Sequence, residues 1–167
     1  MTGINYLISV ALLLSVLTTT AQKGSNYAKL GIGTNLAISQ AGKYNAGLSV
    51  AATNYIGIKQ KENFLVSVGY TTNAYNTNTK FKASFVNTTV GYQVMAAHQV
   101  YFQPQVGAVF AVGDYYKSKS GIAYGIGIGK LFGSSQKGRF DASANIMSNS
   151  FKFTAVSINI GYLFKVK

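Results

Sequence analysis

From Tyr27 to the C-terminus apolar side chains return at every second residue and keep the same parity through every interruption, so that even-numbered positions are apolar in one segment after another. In the last segment Val156, Ile158, Ile160, Tyr162, Phe164 and Val166 alternate with Ala155, Ser157, Asn159, Gly161, Leu163 and Lys165. A helix would scatter that order around its axis, whereas a strand sends alternate side chains to opposite faces. The pattern predicts strands at 27–38, 44–57, 63–74, 81–94, 99–113, 120–132, 139–149 and 152–166. The polar breaks between them are too short to hold a crossover helix, so consecutive strands run antiparallel as a meander.

Period two does not by itself say which face meets water. Glycine does. Gly31, Gly33, Gly47, Gly69, Gly91, Gly107, Gly125, Gly127, Gly129 and Gly161 all occupy odd positions, together with Asn, Gln, Ser and Thr. A solvated outer face would carry Lys and Glu there, while small residues suit the crowded interior of an eight-stranded barrel, which side chains just fill. The apolar even face then points outward, and some tens of kcal/mol of hydrophobic surface requires lipid around it. Because an open strand edge in hydrocarbon leaves backbone groups unsatisfied, the first strand pairs with the last. The expectation is an all-β fold, an eight-stranded antiparallel up-and-down transmembrane β-barrel over residues 22–167.

Even-numbered Lys82, Lys130 and Lys152 fall near strand ends, where a lipid-facing charge costs little. Phe64, Tyr92, Phe102, Phe132, Phe140, Tyr162 and Phe164 fall toward one rim and Tyr44, Tyr70 and Tyr124 toward the other, as two interfacial girdles. Upstream, residues 4–17 form an apolar run too short to span a bilayer as a helix, and Thr19 and Ala21 supply small residues before Gln22. Residues 1–21 therefore read as a cleaved signal peptide.

Composition narrows the chemistry. The 167 residues carry 15 Lys plus Arg against 3 Asp plus Glu, no Cys and one His. No thiolate nucleophile or thiolate metal site is available, and we expect no catalytic residues, no metal and no cofactor. Gly125-Ile126-Gly127-Ile128-Gly129-Lys130 lacks the spacing of a phosphate-binding loop. Glu62 and His98 are the one acid–base pair considered, for a lipid hydrolase, and they need a seryl partner. The lysines separate to two ends with no basic stripe between them, so nucleic acid is not an expected partner.

Thr20-Ala21-Gln22, Gly91-Tyr92-Gln93, Pro104-Gln105-Val106-Gly107 and the closing Gly161-Tyr162-Leu163-Phe164, set in these alternating strands, resemble the small outer-membrane β-barrel proteins of Gram-negative bacteria. The likeness is to the OmpA/OmpX-like and porin-family barrel domains of Bacteroidota, and it covers essentially the whole mature chain. It implies residence in the cell outer membrane, insertion by the barrel assembly machinery, and a structural, adhesive, channel-forming or lipid-handling role.

Two groups of residues are candidates for function. Tyr55, Tyr101, Gln103, Gln105, Asn145 and Asn159 are expected to line the lumen, with Tyr75, Phe81 and Phe85 filling space opposite the glycines. Lys43, Lys80, Lys82, Lys117, Lys119 and Lys152 gather at the rim away from the N-terminus, where outer-membrane lipid and the phosphates of lipopolysaccharide are the expected partners. A structural or interaction protein is the first reading. A narrow channel or small-molecule transporter is the second, and a secreted soluble barrel around an apolar ligand the third.

Overall fold

The computed structural model describes residues 26–39, 43–74, 82–112, 119–133 and 138–166. Among them run eight strands: β1 (Asn26–Ala37), β2 (Gly47–Lys59), β3 (Glu62–Ala74), β4 (Lys82–Met95), β5 (Val100–Ala111), β6 (Ser120–Phe132), β7 (Gly138–Asn149) and β8 (Thr154–Val166). Each pairs antiparallel with its sequence neighbours, and β1 pairs with β8 to close the barrel. That last seam is in continuous register from Asn26 opposite Val166 to Ala37 opposite Ala155. The twelve to fourteen residues of each strand suffice to cross a bilayer at a tilt.

Parity decides the orientation of every strand. All of the exposed large hydrophobics have even numbers, among them Leu30, Leu48, Phe102, Ile128 and Ile158, whereas Tyr55, Leu65, Phe85, Tyr101 and Leu163 are buried inside at odd ones. The even face is the outer one. Phe132, Phe140 and Tyr162 lie side by side in register across β6, β7 and β8, and the Phe140, Tyr162 and Phe164 rings stack edge to face at 5.0 and 4.8 Å. This is the aromatic girdle of the rim that holds Asn26 and Val166, called here the N-terminal rim. The opposite, distal rim carries the exposed Tyr70 and Tyr124 on its outer wall.

Tyr44 departs from the expected girdle. β2 begins at Gly47, and Tyr44, ahead of it in the β1–β2 connection, turns inward to meet the Phe153 ring edge-on at 5.5 Å. The alternation does not extend into a connection whose backbone is not extended. For the same reason Lys152 is not a strand residue. It sits in the β7–β8 turn at φ 58°, where Asn149 Oδ1 accepts from the backbone N–H groups of Phe151 (3.0 Å) and Phe153 (3.3 Å). That cap holds the tight turn which a left-handed residue makes possible. The predicted signal peptide 1–21, Tyr75, Lys80, Phe81 and Lys117 lie outside the described residues.

One seam of the wall is interrupted. β4 and β5 share a single register, yet pairing lapses where Tyr92 and Gln93 face Gln103 and Pro104. Pro104 has no N–H, so the Tyr92 carbonyl loses its β5 donor. Hydrogen exchange measures the effect: the Tyr92 amide should exchange faster than that of Val90, and Pro104→Val should slow it roughly tenfold. Equal exchange in both proteins contradicts a weakened seam.

Candidate functional site

The lumen is layered, and each layer follows from odd-numbered residues on several strands. At the N-terminal rim Tyr55, Leu65, Tyr101, Leu131 and Leu163 pack together, with Tyr27 and Met95 against them. At the distal rim Phe85, Val109 and Phe153 are joined by Tyr44 and by small alanines, with Phe151 and Met147 against them. Phe85 stacks on Phe151 with ring centroids 6.0 Å apart and meets Phe153 at 5.0 Å. Two of these aromatics, Phe151 and Phe153, come from the β7–β8 turn, so a connection forms part of the distal plug.

Between the plugs lies a polar chamber of about 140 Å³. Asn35, Thr53, Ser67, Gln105, Asn145 and Asn159 are among the residues that line it. Ser49 Oγ donates to Asn159 Oδ1 at 3.0 Å, and Asn159 Nδ2 donates to Ser157 Oγ at 3.1 Å. Thr89 Oγ1 donates to Gln105 Oε1 at 3.1 Å, and Gln105 Nε2 approaches Met147 Sδ at 3.2 Å. Asn35 donates to Asn73 Oδ1, and Asn73 Nδ2 in turn donates to the Asn45 carbonyl at 3.0 Å. Asn145 stands over Gly127, where a Cβ would collide with its Oδ1.

A buried ion pair marks the boundary between the chamber and the N-terminal plug. Lys29 Nζ lies 2.6 Å from Asp141 Oδ2, with side-chain exposures of 10% and 1%. The second carboxylate oxygen accepts from Tyr101 Oη at 2.7 Å. Lys29 also stands 5.9 Å from the centre of the Tyr55 ring, whose hydroxyl donates to Gln103 Oε1 at 3.3 Å. Five side chains from four strands are thereby tied across the lumen. Tyr101 fits only because Gly129 lies opposite, since a Cβ there would strike the phenol ring.

All six candidate lumen residues therefore lie inside the barrel. Tyr55, Tyr101 and Gln103 belong to the ion-pair network, Gln105, Asn145 and Asn159 to the chamber. Sequence reasoning missed both Lys29 and Asp141 as lumen residues. Parity was the available signal, because both numbers are odd.

Of the distal lysines, Lys43, Lys82, Lys119 and Lys152 are exposed. They come from four separate places around the rim: the β1–β2 connection, the start of β4, the approach to β6 and the β7–β8 turn. Lys152 is fixed from behind, because its carbonyl accepts from Ser39 Oγ at 2.8 Å while that oxygen accepts from the Thr154 N–H at 2.8 Å. At the other rim Glu62 accepts from the Tyr92 hydroxyl and pairs with Lys59 at 3.2 Å, and His98 is exposed in the β4–β5 turn. Neither meets a seryl hydroxyl in a described contact. Among the described residues no three His, Cys, Asp or Glu side chains gather as a metal site.

No protein-family model matches the chain, and no curated protein matches it in sequence. Solved structures do. The crystal structure of Neisserial surface protein A (NspA) superposes with a TM-score of 0.66 at 18% identity, covering 86% of this chain and all of that one. The crystal structure of Ail, the attachment invasion locus protein of Yersinia pestis, gives 0.61 at 12% identity over 87% of this chain and all of that one. Ail in complex with the heparin analogue sucrose octasulfate gives 0.56 at 14% identity, over 86% of this chain and all of that one. At these identities the likeness is one of fold: the chain shares the closed eight-stranded architecture of small outer-membrane barrels.

The ion pair yields a direct test in urea unfolding of the bilayer-folded barrel. Asp141→Leu should lower stability by about 3–5 kcal/mol by stranding a buried ammonium, and Lys29→Met added to it should recover most of the loss. Additive losses in the double variant would show that the two side chains act independently.

Proposed function

We propose that this chain is an integral protein of the cell outer membrane with a structural or interaction role and no catalytic activity. The observation that carries the reading is a closed barrel whose exposed large hydrophobic side chains all stand at even positions of the outer wall, with apolar layers at both ends of its interior. Likeness in fold to NspA and Ail supports the outer membrane as its location, since an outer-membrane wall is where such a surface is at rest. Delivery there requires the signal peptide 1–21 and the barrel assembly machinery, both parts of the proposal, as is grouping with OmpA/OmpX-like or porin-family barrels of Bacteroidota type.

Loop lengths orient the barrel. At the N-terminal rim the connections are short, residues 60–61, 96–99 and 133–137, whereas three of the four at the distal rim, 38–46, 75–81 and 112–119, are longer and the fourth, 150–153, is a tight turn. Outer-membrane barrels keep short turns in the periplasm and longer loops outside. The distal rim accordingly faces the exterior, and Lys43, Lys80, Lys82, Lys117, Lys119 and Lys152 meet the phosphates of lipopolysaccharide. Ail was crystallised with a polysulfated ligand, which fits a barrel of this shape presenting an anion-binding face. Nucleic acid is not among the proposed partners.

The channel reading has less support, because apolar layers bound the polar chamber on both sides. In planar bilayers the purified protein should give little conductance, and large stable channels would overturn the filled-barrel reading. Vesicles containing lipopolysaccharide should retain the protein's exposed rim less well as salt rises, and the quadruple change of Lys43, Lys82, Lys119 and Lys152 to Glu should abolish that salt dependence. Salt-independent association would remove the lysines from the contact.

A further inference from the structure

The outer wall is not evenly convex. Across β8, β1, β2, β3 and β4 runs an apolar furrow of about 730 Å³. One bank is formed by Ile160, Ile32, Val50, Tyr70 and Val86, each directly opposite the next in strand register. Ala52, on the other bank, is its lowest point, lying between Leu30 and Val68. Four strand-to-strand steps of about 4.8 Å carry the bank roughly 19 Å from Ile160 to Val86. Because barrel strands tilt by about 35–45°, a path across them also climbs toward a rim. Here it climbs toward the distal one.

Beyond Tyr70 and Val86, at its upper end, polar groups follow toward the rim. Lys82 projects from the same outer face of β4 as Val86, four residues and about 13 Å nearer the rim. Between them Thr72, half-buried, shares a hydrogen bond of 2.9 Å with the buried Ser84 hydroxyl, and the exposed Tyr70 borders the same place. An apolar channel leading up to a cation and hydroxyl groups has the polarity of one anionic lipid lying on the wall. A second copy of the chain is a poor occupant by charge, because it would bring another +12 to the same lysine.

We propose that this furrow seats one acyl chain of a phosphorylated glycolipid of the exterior leaflet, lipid A, with its phosphate at Lys82. The proposal rests on the reading that the distal rim faces outward, and it adds a single defined site to what would otherwise be a diffuse contact around the rim. Occupancy is selective for lipid A over phosphatidylglycerol, since a phosphatidylglycerol headgroup carries a single diester charge against the phosphomonoesters of lipid A.

Native mass spectrometry of the folded barrel, titrated separately with lipid A and with phosphatidylglycerol, tests it. One lipid A adduct should form ahead of any phosphatidylglycerol adduct. Lys82→Glu and the furrow-filling Ala52→Phe should each weaken it roughly tenfold, with folding of both variants checked by the gel shift between heated and unheated samples. Lys61→Glu, in the exposed β2–β3 turn of the N-terminal rim, should leave the adduct unchanged. Loss with Lys82→Glu but not with Ala52→Phe would overturn the furrow and leave only a rim phosphate contact. Equal uptake of both lipids, or an adduct untouched by either variant, would overturn the site altogether. If instead the wild-type chain fails to show a heat-dependent gel shift in lipid, the membrane-barrel reading itself has failed.

Discussion

In hydrocarbon no water competes for backbone N–H and C=O groups, so each one has to find its partner within the chain. The β1–β8 ladder meets that demand by joining the two ends of the sheet, and the other features of the molecule are consequences of it. An even strand count brings Asn26 and Val166 to the same rim. Closure also removes the freedom of any strand to slip, because a shift by one residue would move its glycines and asparagines into lipid and its isoleucines into the lumen. The parity kept from strand to strand between Tyr27 and Val166 is the imprint of that condition on the chain. The lapse at Pro104 lies on an interior seam, close to the N-terminal rim, where the neighbouring registers of β3–β4 and β5–β6 remain intact.

Eight strands enclose a space that side chains fill, and the filling here is divided by chemistry. Bulky residues at the two ends are accommodated by small ones facing them, as Tyr101 is by Gly129. The middle is left to amides and hydroxyls that bond one another. Lys29 and Asp141 stand where these regimes meet. A charge so deeply buried is tolerable only with its counter-charge in contact, and Tyr101 supplies the further hydrogen bond that such a carboxylate needs. Side chains of non-adjacent strands are thereby tied to one another across the interior.

Much of this fold was legible in the residues. The strand positions, the closed meander and the outward direction of the even face all follow from alternation plus the location of glycine, because both are local signals that survive without knowledge of register. Tyr44 and Lys152 were misassigned because parity has meaning only in extended backbone, and the chain leaves that conformation just before β2 and just before β8. The Lys29–Asp141 contact was hidden for another reason: its members are 112 residues apart, and only strand tilt and register determine which odd positions meet across the lumen. The furrow is likewise a property of register, since Ile160, Ile32, Val50 and Tyr70 become neighbours only when four strands are aligned.

The claim on which the account rests is the direction of the two faces, and the absence of native tryptophan makes it measurable with one reporter at a time. In vesicles of brominated phospholipid, the fluorescence of Ile158→Trp should be strongly quenched and that of Phe85→Trp, buried in the distal plug, should not. Quenching at position 85 with none at 158 would mean that the barrel carries its apolar residues inside, and the membrane interpretation would be wrong.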